Sequence, residues 1–163
     1  MAQLGASKIG PRERGAALVE LAMILPLLLV VTAGIVDFGF AFQRYEVIAN
    51  AAREGARLAS EPGYDAAAIT ARVRGYVKAA LNLDDATLGL VMPPGTSVNV
   101  ANTSLTMPLA GGGTAALPSV RVDAFYHHQF MLMRPILGLI NKSWGQSITF
   151  QASAIMRSQV GGT

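Results

Sequence analysis

The histidines of the chain, His127 and His128, are the first candidates for metal binding or acid–base catalysis, because imidazole binds metals and titrates near neutral pH. Both belong to a segment whose alternation is typical of a β-strand, in which adjacent side chains point to opposite faces. The two rings therefore cannot readily share one metal ion, and no His-x-x-x-His pair or carboxylate cluster completes a site. We expect one ring to be buried and neutral and the other to meet solvent.

Nucleophilic catalysis is a second kind of chemistry to consider, since Asp123 and several serines accompany the histidines. The chain has no cysteine and no Gly-x-Ser-x-Gly nucleophile elbow. Gly111-Gly112-Gly113 lacks the flanking residues of a phosphate-binding or dinucleotide-binding loop, and Asp84-Asp85 are adjacent rather than a spaced carboxylate pair. We therefore expect no catalytic residue, no metal, no cofactor and no small-molecule substrate.

A lone carboxylate, Glu20, stands at the start of a long apolar run, where a charge is costly to bury and so indicates a function. No charged residue occurs from Leu21 to Val36. As a helix, Leu18 to Val36 would be about 28 Å long, close to the thickness of a bilayer's hydrocarbon core. Pro26 lies inside the run, and membrane helices tolerate such a proline with a kink. The run therefore predicts a single membrane span.

The charge of the chain is concentrated before this span. The formal net charge is +3, and Lys8, Arg12 and Arg14 against Glu13 account for +2 of it (three positive, one negative). A basic segment at this place favours a cytoplasmic N-terminus and a domain across the membrane. Beyond it no basic cluster interleaved with aromatic residues remains, so we expect no nucleic-acid partner.

Two alternatives for the apolar run are a secretory signal peptide, cut near Val31-Thr32-Ala33, and a buried helix of a soluble protein. The run is longer than the core of a signal peptide, which is about 7–15 residues, and it continues as helix-compatible sequence. It also lacks the polar stripe of a surface helix. Both observations favour the membrane span.

Five motifs in a fixed order give residues 12–60 a family resemblance. They are Arg14-Gly15, Glu20, Leu25-Pro26, Gly34-Ile-Val-Asp-Phe-Gly39 and Arg53-Glu-Gly-Ala-Arg57. In this order and spacing they resemble TadE-like pseudopilins, the minor pilin-like components of bacterial tight-adherence (Tad/Flp) pilus machines. The C-terminal end, with its Met156-Arg157 pair after an apolar, proline-containing segment, resembles that family more loosely.

The resemblance implies that prepilin peptidase cuts between Gly15 and Ala16 on the cytoplasmic side of the inner membrane. Glu20, fifth after the cut, would then meet the new amino group of Ala16 on a neighbouring subunit, although it could instead only reach the headgroup layer. The implied partners are the inner membrane, prepilin peptidase, other pilin-like subunits and the tight-adherence machinery. The implied organisation is a cytoplasmic leader (1–15), a transmembrane and stem helix (16–60) and a periplasmic α+β domain (61–163).

Beyond the span, helical spacing continues through an aromatic segment ending at Tyr45, typical of an interfacial belt, into a stem of small residues. Ile48, Ala52 and Gly55 recur at this spacing and allow another helix or a sheet to approach closely. The stem packs against its own domain or lines a groove for a partner, and both alternatives remain. Pro62-Gly63 ends the helix. The residues to which we assign helix packing or assembly are Glu20, Pro26, Asp37, Arg53, Gly55, Ala56 and Arg57.

The remainder predicts a second helix from an N-cap at Asp65 to about Leu81, followed by strands. Thr87 to Met92 is read as a short strand and Ser97 to Thr106 as another, and Gly111-Gly112-Gly113 as a turn. From Ser119 the residues alternate between Val120, Val122, Ala124 and Tyr126 on one face and Arg121, Asp123, Phe125 and His127 on the other. A last strand covers Ile148 to Met156.

Phe130 to Ile140 is an unusually apolar segment between these strands, broken by Pro135 and Gly138. It predicts a packed loop, a short helix, or a patch that touches membrane or a partner. The predicted fold is α+β and pilin-like, with a long N-terminal transmembrane helix, a second helix and a small, mainly antiparallel sheet. The leading hypothesis is a non-catalytic pseudopilin. The alternatives are a membrane-anchored extracytoplasmic binding protein outside any filament and a secreted enzyme.

Overall fold

A single helix, α1 (Pro11–Ser60), makes up the N-terminal part of the computed structural model, which describes residues 11–140 and 147–159. At about 1.5 Å per residue this helix of 50 residues is about 75 Å long. Pro26 lies inside it without ending it. Within the described residues, α1 is the one helix long and apolar enough to cross a membrane by length and composition, as the sequence predicts.

Helix α2 (Ala66–Leu81) begins and ends where the capping residues predict. The Asp65 side chain accepts a hydrogen bond from the Ala68 N–H at 2.7 Å. Asn82 closes the helix in the left-handed region, with a φ of 50°, a conformation that asparagine tolerates better than most residues. The second predicted helix is therefore confirmed.

The strand predicted from Thr87 to Met92 is wrong, because this segment forms helix α3 (Asp85–Val91). The Asp84 carboxylate accepts the Thr87 N–H at 2.6 Å and so caps a new helix. Leu88 and Met92 stand four residues apart and are both buried, whereas Leu90 is exposed. Leu88, Leu90 and Met92 fit the alternation of a strand, whereas Leu88, Val91 and Met92 fit helical spacing. The Asp84 cap decides between the two.

The sheet has three antiparallel strands, β1 (Val98–Pro108), β2 (Thr114–His128) and β3 (Ile148–Arg157), with β2 in the centre. The predicted glycine turn joins β1 to β2, and Gly112 and Gly113 take the positive φ values that it requires. Helix α4 (Met133–Ile140) lies between β2 and β3 in the chain. Of the alternatives predicted for Phe130 to Ile140, the structure therefore has the short helix.

One face of the sheet packs against the stem of α1 and against α2, which makes the fold α+β as predicted. The residues predicted for this face, Val120, Val122, Ala124 and Tyr126, are all buried in one core. They meet Ile48, Ala51, Ala52 and Ala56 of α1 and Ile69, Val73 and Val77 of α2. The C-terminal part of α1 is thus a component of the globular core.

Candidate functional site

The predicted cleavage site lies on an uncovered part of α1. Gly15, Ala16 and Glu20 are all exposed, and no atom lies within 4 Å of the position that a Gly15 Cβ would occupy. Glu20 forms no hydrogen bond or ion pair with any residue that the structure describes. Among the described residues, the carboxylate is therefore without a partner.

The apolar segment of α1 around Pro26 is almost entirely uncovered as well. Only 6% of its most apolar 18-residue window is buried inside the chain. Leucine, isoleucine, valine and methionine side chains are exposed on every side of the helix from Leu18 to Val36. A helix that is apolar all round and not buried needs lipid or neighbouring helices to cover it.

Asp37 ends this segment, and α4 covers it. Its carboxylate accepts hydrogen bonds from three successive backbone N–H groups, with Oδ1 at 3.1 Å from both Met131 and Leu132. Oδ2 lies 3.0 Å from the Leu132 nitrogen and 2.7 Å from that of Met133. Only 1% of Asp37 is exposed. The carboxylate thus acts as the N-terminal cap of α4 and fixes that helix to α1.

Arg44 links α1 to the sheet about two helical turns beyond Asp37. Its Nη1 donates to His128 Nδ1 at 2.8 Å, so the neutral ring carries its proton on Nε2. The ring is buried between Phe130 and Phe150, with centroids 5.3 and 5.7 Å away. Burial and the nearby guanidinium lower the pKa of His128, although the Asp37 carboxylate opposes them. Burial and the guanidinium thus both favour the neutral imidazole.

Gly55 and Ala56 of the stem pack against other parts of the same chain. A Cβ on Gly55 would lie 2.5 Å from Val73 Cγ2 and 3.2 Å from Val122 Cγ1. Ala56 is completely buried. The small residues therefore let α2 and the sheet approach α1, which is the domain-packing alternative for these two positions. Their part in assembly stays a prediction.

An ion-pair cluster around Glu54 lies on the more exposed side of the stem. Arg57 Nε lies 3.1 Å from Glu54 Oε2, one turn back along the helix, and Arg57 Nη1 lies 2.6 Å from Glu61 Oε1. Arg72 of α2 adds a bond to Glu54 Oε1 at 2.8 Å. Bonds from both arginines lower the pKa of Glu54 to about 2. Arg53 is exposed and bonds to Asn50 within α1.

Comparison with protein families places a match on this same helix. Residues 15–57 match the family model described as TadE-like protein. Residues 15–57, called the TadE-like segment below, are thus similar to that family. The match confirms the resemblance drawn from the five motifs, and it begins at the glycine of the predicted cleavage site. No curated protein and no solved structure matches the chain significantly.

The two histidines lie outside the TadE-like segment and are separated as predicted. His128 is buried on the core face, whereas His127 is half-buried on the other face and its Nδ1 lies 2.9 Å from Thr149 Oγ1. Asp123, also on that other face, bonds to Arg121 and Ser153 instead of a histidine. In the described part of the chain, no group of three or more histidines, cysteines and carboxylates is placed to hold a metal ion.

Sequence reasoning missed three contacts that tie the TadE-like helix to the rest of the chain. They are the bonds from Asp37 to the start of α4, from Arg44 to His128 and from Glu54 to Arg72. The sequence assigns Asp37 to helix packing or assembly, and the signal for this is its position beside an apolar run. Nothing in the sequence indicates that its partners are backbone amides 94 to 96 residues away.

Proposed function

We propose that the chain is a non-catalytic, pilin-like component of a tight-adherence pilus machine, anchored by α1 in the bacterial inner membrane. The observation that carries this proposal is the TadE-like match to residues 15–57, which falls on a helix whose apolar surface the chain itself leaves uncovered. The basic residues before the span favour a cytoplasmic N-terminus and a periplasmic α+β domain. Neighbouring pilin-like helices would cover part of the exposed surface.

Prepilin peptidase is the proposed processing enzyme, cutting between Gly15 and Ala16. The exposure of this bond and the open space around Gly15 support access by a protease. The test is mass spectrometry of the mature protein from cells with and without prepilin peptidase. A start at Ala16 that requires the peptidase is expected. Retention of Met1 would favour the anchored binding protein, and a start near Gly34 would favour secretion.

A matched pair of glycine variants makes this test specific. Gly15→Leu should block cleavage, because a side chain replaces the bare backbone that fits closely into a protease site. Gly34→Leu, in the same helix and equally without neighbours within 4 Å, should leave cleavage unchanged. Equal processing of both variants would exclude Gly15 as the cleavage determinant.

Glu20 is proposed to pair with the new amino group of Ala16 on a neighbouring subunit after cleavage. Its exposure and its lack of a partner among the described residues support this role. Pairing opposite charges makes both tolerable at the membrane edge. Glu20→Ala should be processed normally but lose most of its crosslinking into pilus-associated complexes. Glu46→Ala, an exposed carboxylate further along the same helix, is the control. Unchanged assembly of Glu20→Ala would exclude the role.

A further inference from the structure

The outward surface of α1 does not become polar where its uncharged run ends. Asp37 is the first charged residue after Val36, yet its carboxylate is turned under α4 and bonded to three backbone N–H groups. The next charged residue along α1, Arg44, bonds inward to His128. Neither charge therefore interrupts the exposed apolar surface at this level.

Aromatic side chains continue that surface beyond Asp37. Phe38 is 68% exposed and Phe42 is 65% exposed, and Phe40 is also exposed. At about 1.5 Å per residue, Phe42 lies about 9 Å beyond Val36 along the helix. The apolar surface of α1 is thus longer than the uncharged run of its sequence.

Helix α4 and the turn before it add apolar surface at the same level. Because Asp37 holds the N–H groups of Met131, Leu132 and Met133, α4 begins beside the last turn of the apolar run. Met131 is 67% exposed and Leu132 is also exposed. In this segment Arg134 is the one charged residue, and it is exposed.

An apolar groove of about 190 Å³ lies beside these residues. Phe38, Phe42 and Tyr45 of α1 form one wall, and Phe130 and Phe150 lie opposite. The rings of Phe38 and Phe130 have centroids 6.2 Å apart. The groove opens on the same side as the exposed phenylalanines, so its apolar lining is continuous with the surface of the span.

The dimensions of a bilayer place this whole region at the membrane interface. From Ala16 to Arg44 the helix is about 42 Å long, which equals the thickness of a bilayer with its headgroups. Tyr and other aromatic residues, and short helices with one apolar face, are typical of this depth. A carboxylate can also lie here at low cost when it is fully hydrogen-bonded and covered.

We propose that the turn Phe130–Leu132, helix α4 and the groove face phospholipid. The domain then contacts the membrane leaflet nearest to it, and one acyl chain of a phospholipid lies in the groove. The occupant of the groove is lipid because the apolar surface of the turn, α4 and the groove continues without interruption from the exposed apolar surface of the membrane span. Arg134 is placed for anionic headgroups. The proposal requires α1 to span a membrane, but neither cleavage nor membership of a pilus.

Depth-dependent fluorescence quenching tests the proposal on the full chain in phosphatidylcholine vesicles at high lipid-to-protein ratio. In a Trp144→Phe background, which removes the single native tryptophan, Met131→Trp reports on the turn and Phe42→Trp on the groove. Leu28→Trp, in the middle of the span, verifies insertion. Met107→Trp is the matched control, an exposed methionine at the far hairpin of the sheet.

Phosphatidylcholine brominated along its acyl chains should quench Met131→Trp and Phe42→Trp to an extent comparable with Leu28→Trp, and should leave Met107→Trp unchanged. Quenching of both reporters by aqueous acrylamide instead would overturn the proposal, because the patch would then face solvent. A third outcome would also overturn the proposal: neither quencher reaches the tryptophans at positions 131 and 42 until the protein is diluted into more lipid. A second protein molecule would then cover this surface. Failure of cleavage after Gly15 would leave these results unaffected.

Discussion

Asp37 and Leu132 are 95 residues apart in sequence, yet the Leu132 N–H points between the two carboxylate oxygens of Asp37, at 3.1 and 3.0 Å. The neighbouring N–H groups of Met131 and Met133 complete the arrangement. One side chain of the membrane helix thus satisfies the donors at the start of α4, which no intrahelical carbonyl can reach. The position of α4, and of the apolar surface around it, depends on this carboxylate.

Asp37→Asn should loosen α4, because an amide keeps only one acceptor oxygen and presents its own donors to the Met133 N–H. Leaving a buried donor unsatisfied costs about 1–3 kcal/mol. Hydrogen exchange of the Met131–Met133 amides, measured in detergent micelles, should therefore accelerate. Glu20→Gln makes the same chemical change in the same helix at an exposed carboxylate and should not alter this exchange. Equal protection in wild type and Asp37→Asn would contradict the capping role.

Gly55→Ala should destabilise the domain, because the new Cβ would lie 2.5 Å from Val73 Cγ2 in a packed core. Overpacking of this kind costs about 1–3 kcal/mol, against a gain in helix propensity of at most about 1 kcal/mol. Chemical denaturation followed by circular dichroism in detergent measures the difference. Gly75→Ala in α2 has open space around its Cβ and should be neutral or stabilising. Equal stabilities of the two variants would contradict the close approach at Gly55.

The sequence predicts those parts of this fold that depend on local patterns. Helix α2 follows from its cap at Asp65, β2 from alternation after Ser119, and the stem from helical spacing around Gly55. The strand prediction at Thr87 to Met92 is wrong because the segment contains both an alternating set, which includes Leu90, and a helical set, which includes Val91. The Asp84 cap distinguishes the two.

The long-range contacts could not be predicted in the same way. Arg44 and His128 meet only because the stem and the central strand pack side by side, and backbone amides, such as those that Asp37 binds, carry no sequence signature. Which residues face each other across the contacts between α1 and the rest of the domain is decided only when the core packs.

Stability should fall between neutral and mildly acidic pH because of His128. Burial and the Arg44 guanidinium lower its pKa from the ordinary value of 6.5. In the unfolded chain the ring binds a proton as the pH falls below about 6.5, whereas the folded chain resists protonation. The free energy of unfolding is therefore highest above that value and decreases as the pH falls through it toward the lower, folded-state pKa.

Chemical denaturation of the full chain in detergent at several pH values between neutral and mildly acidic measures this loss. His128→Asn retains an oxygen acceptor for Arg44 but does not titrate, so its stability should depend less on pH over this range. His127→Asn removes the half-buried ring on the opposite face and should retain the wild-type dependence. The same pH dependence in His128→Asn and wild type would exclude His128 as its source.

A second loss of stability should occur in stronger acid because of Glu54. Hydrogen bonds from Arg57 and Arg72 lower its pKa from 4.5 to about 2. The contribution of the folded-state carboxylate is present above the unfolded value of 4.5 and is lost as the pH falls toward 2. Because both arginines are more than half exposed, solvent screens each pair and its contribution to stability at neutral pH should be small.

A double-mutant cycle isolates the pair that joins α1 to α2. Glu54→Gln and Arg72→Gln should each destabilise the chain at neutral pH, and the double variant should cost less than the sum of the two. The coupling should decrease as the pH falls from 4.5 toward 2, where the carboxylate becomes protonated, and it should also decrease in high salt. Arg53→Gln, which removes an exposed arginine bonded only within α1, should show no coupling to Glu54→Gln. Strict additivity of Glu54→Gln and Arg72→Gln at neutral pH would mean that the bond between the helices contributes nothing to stability.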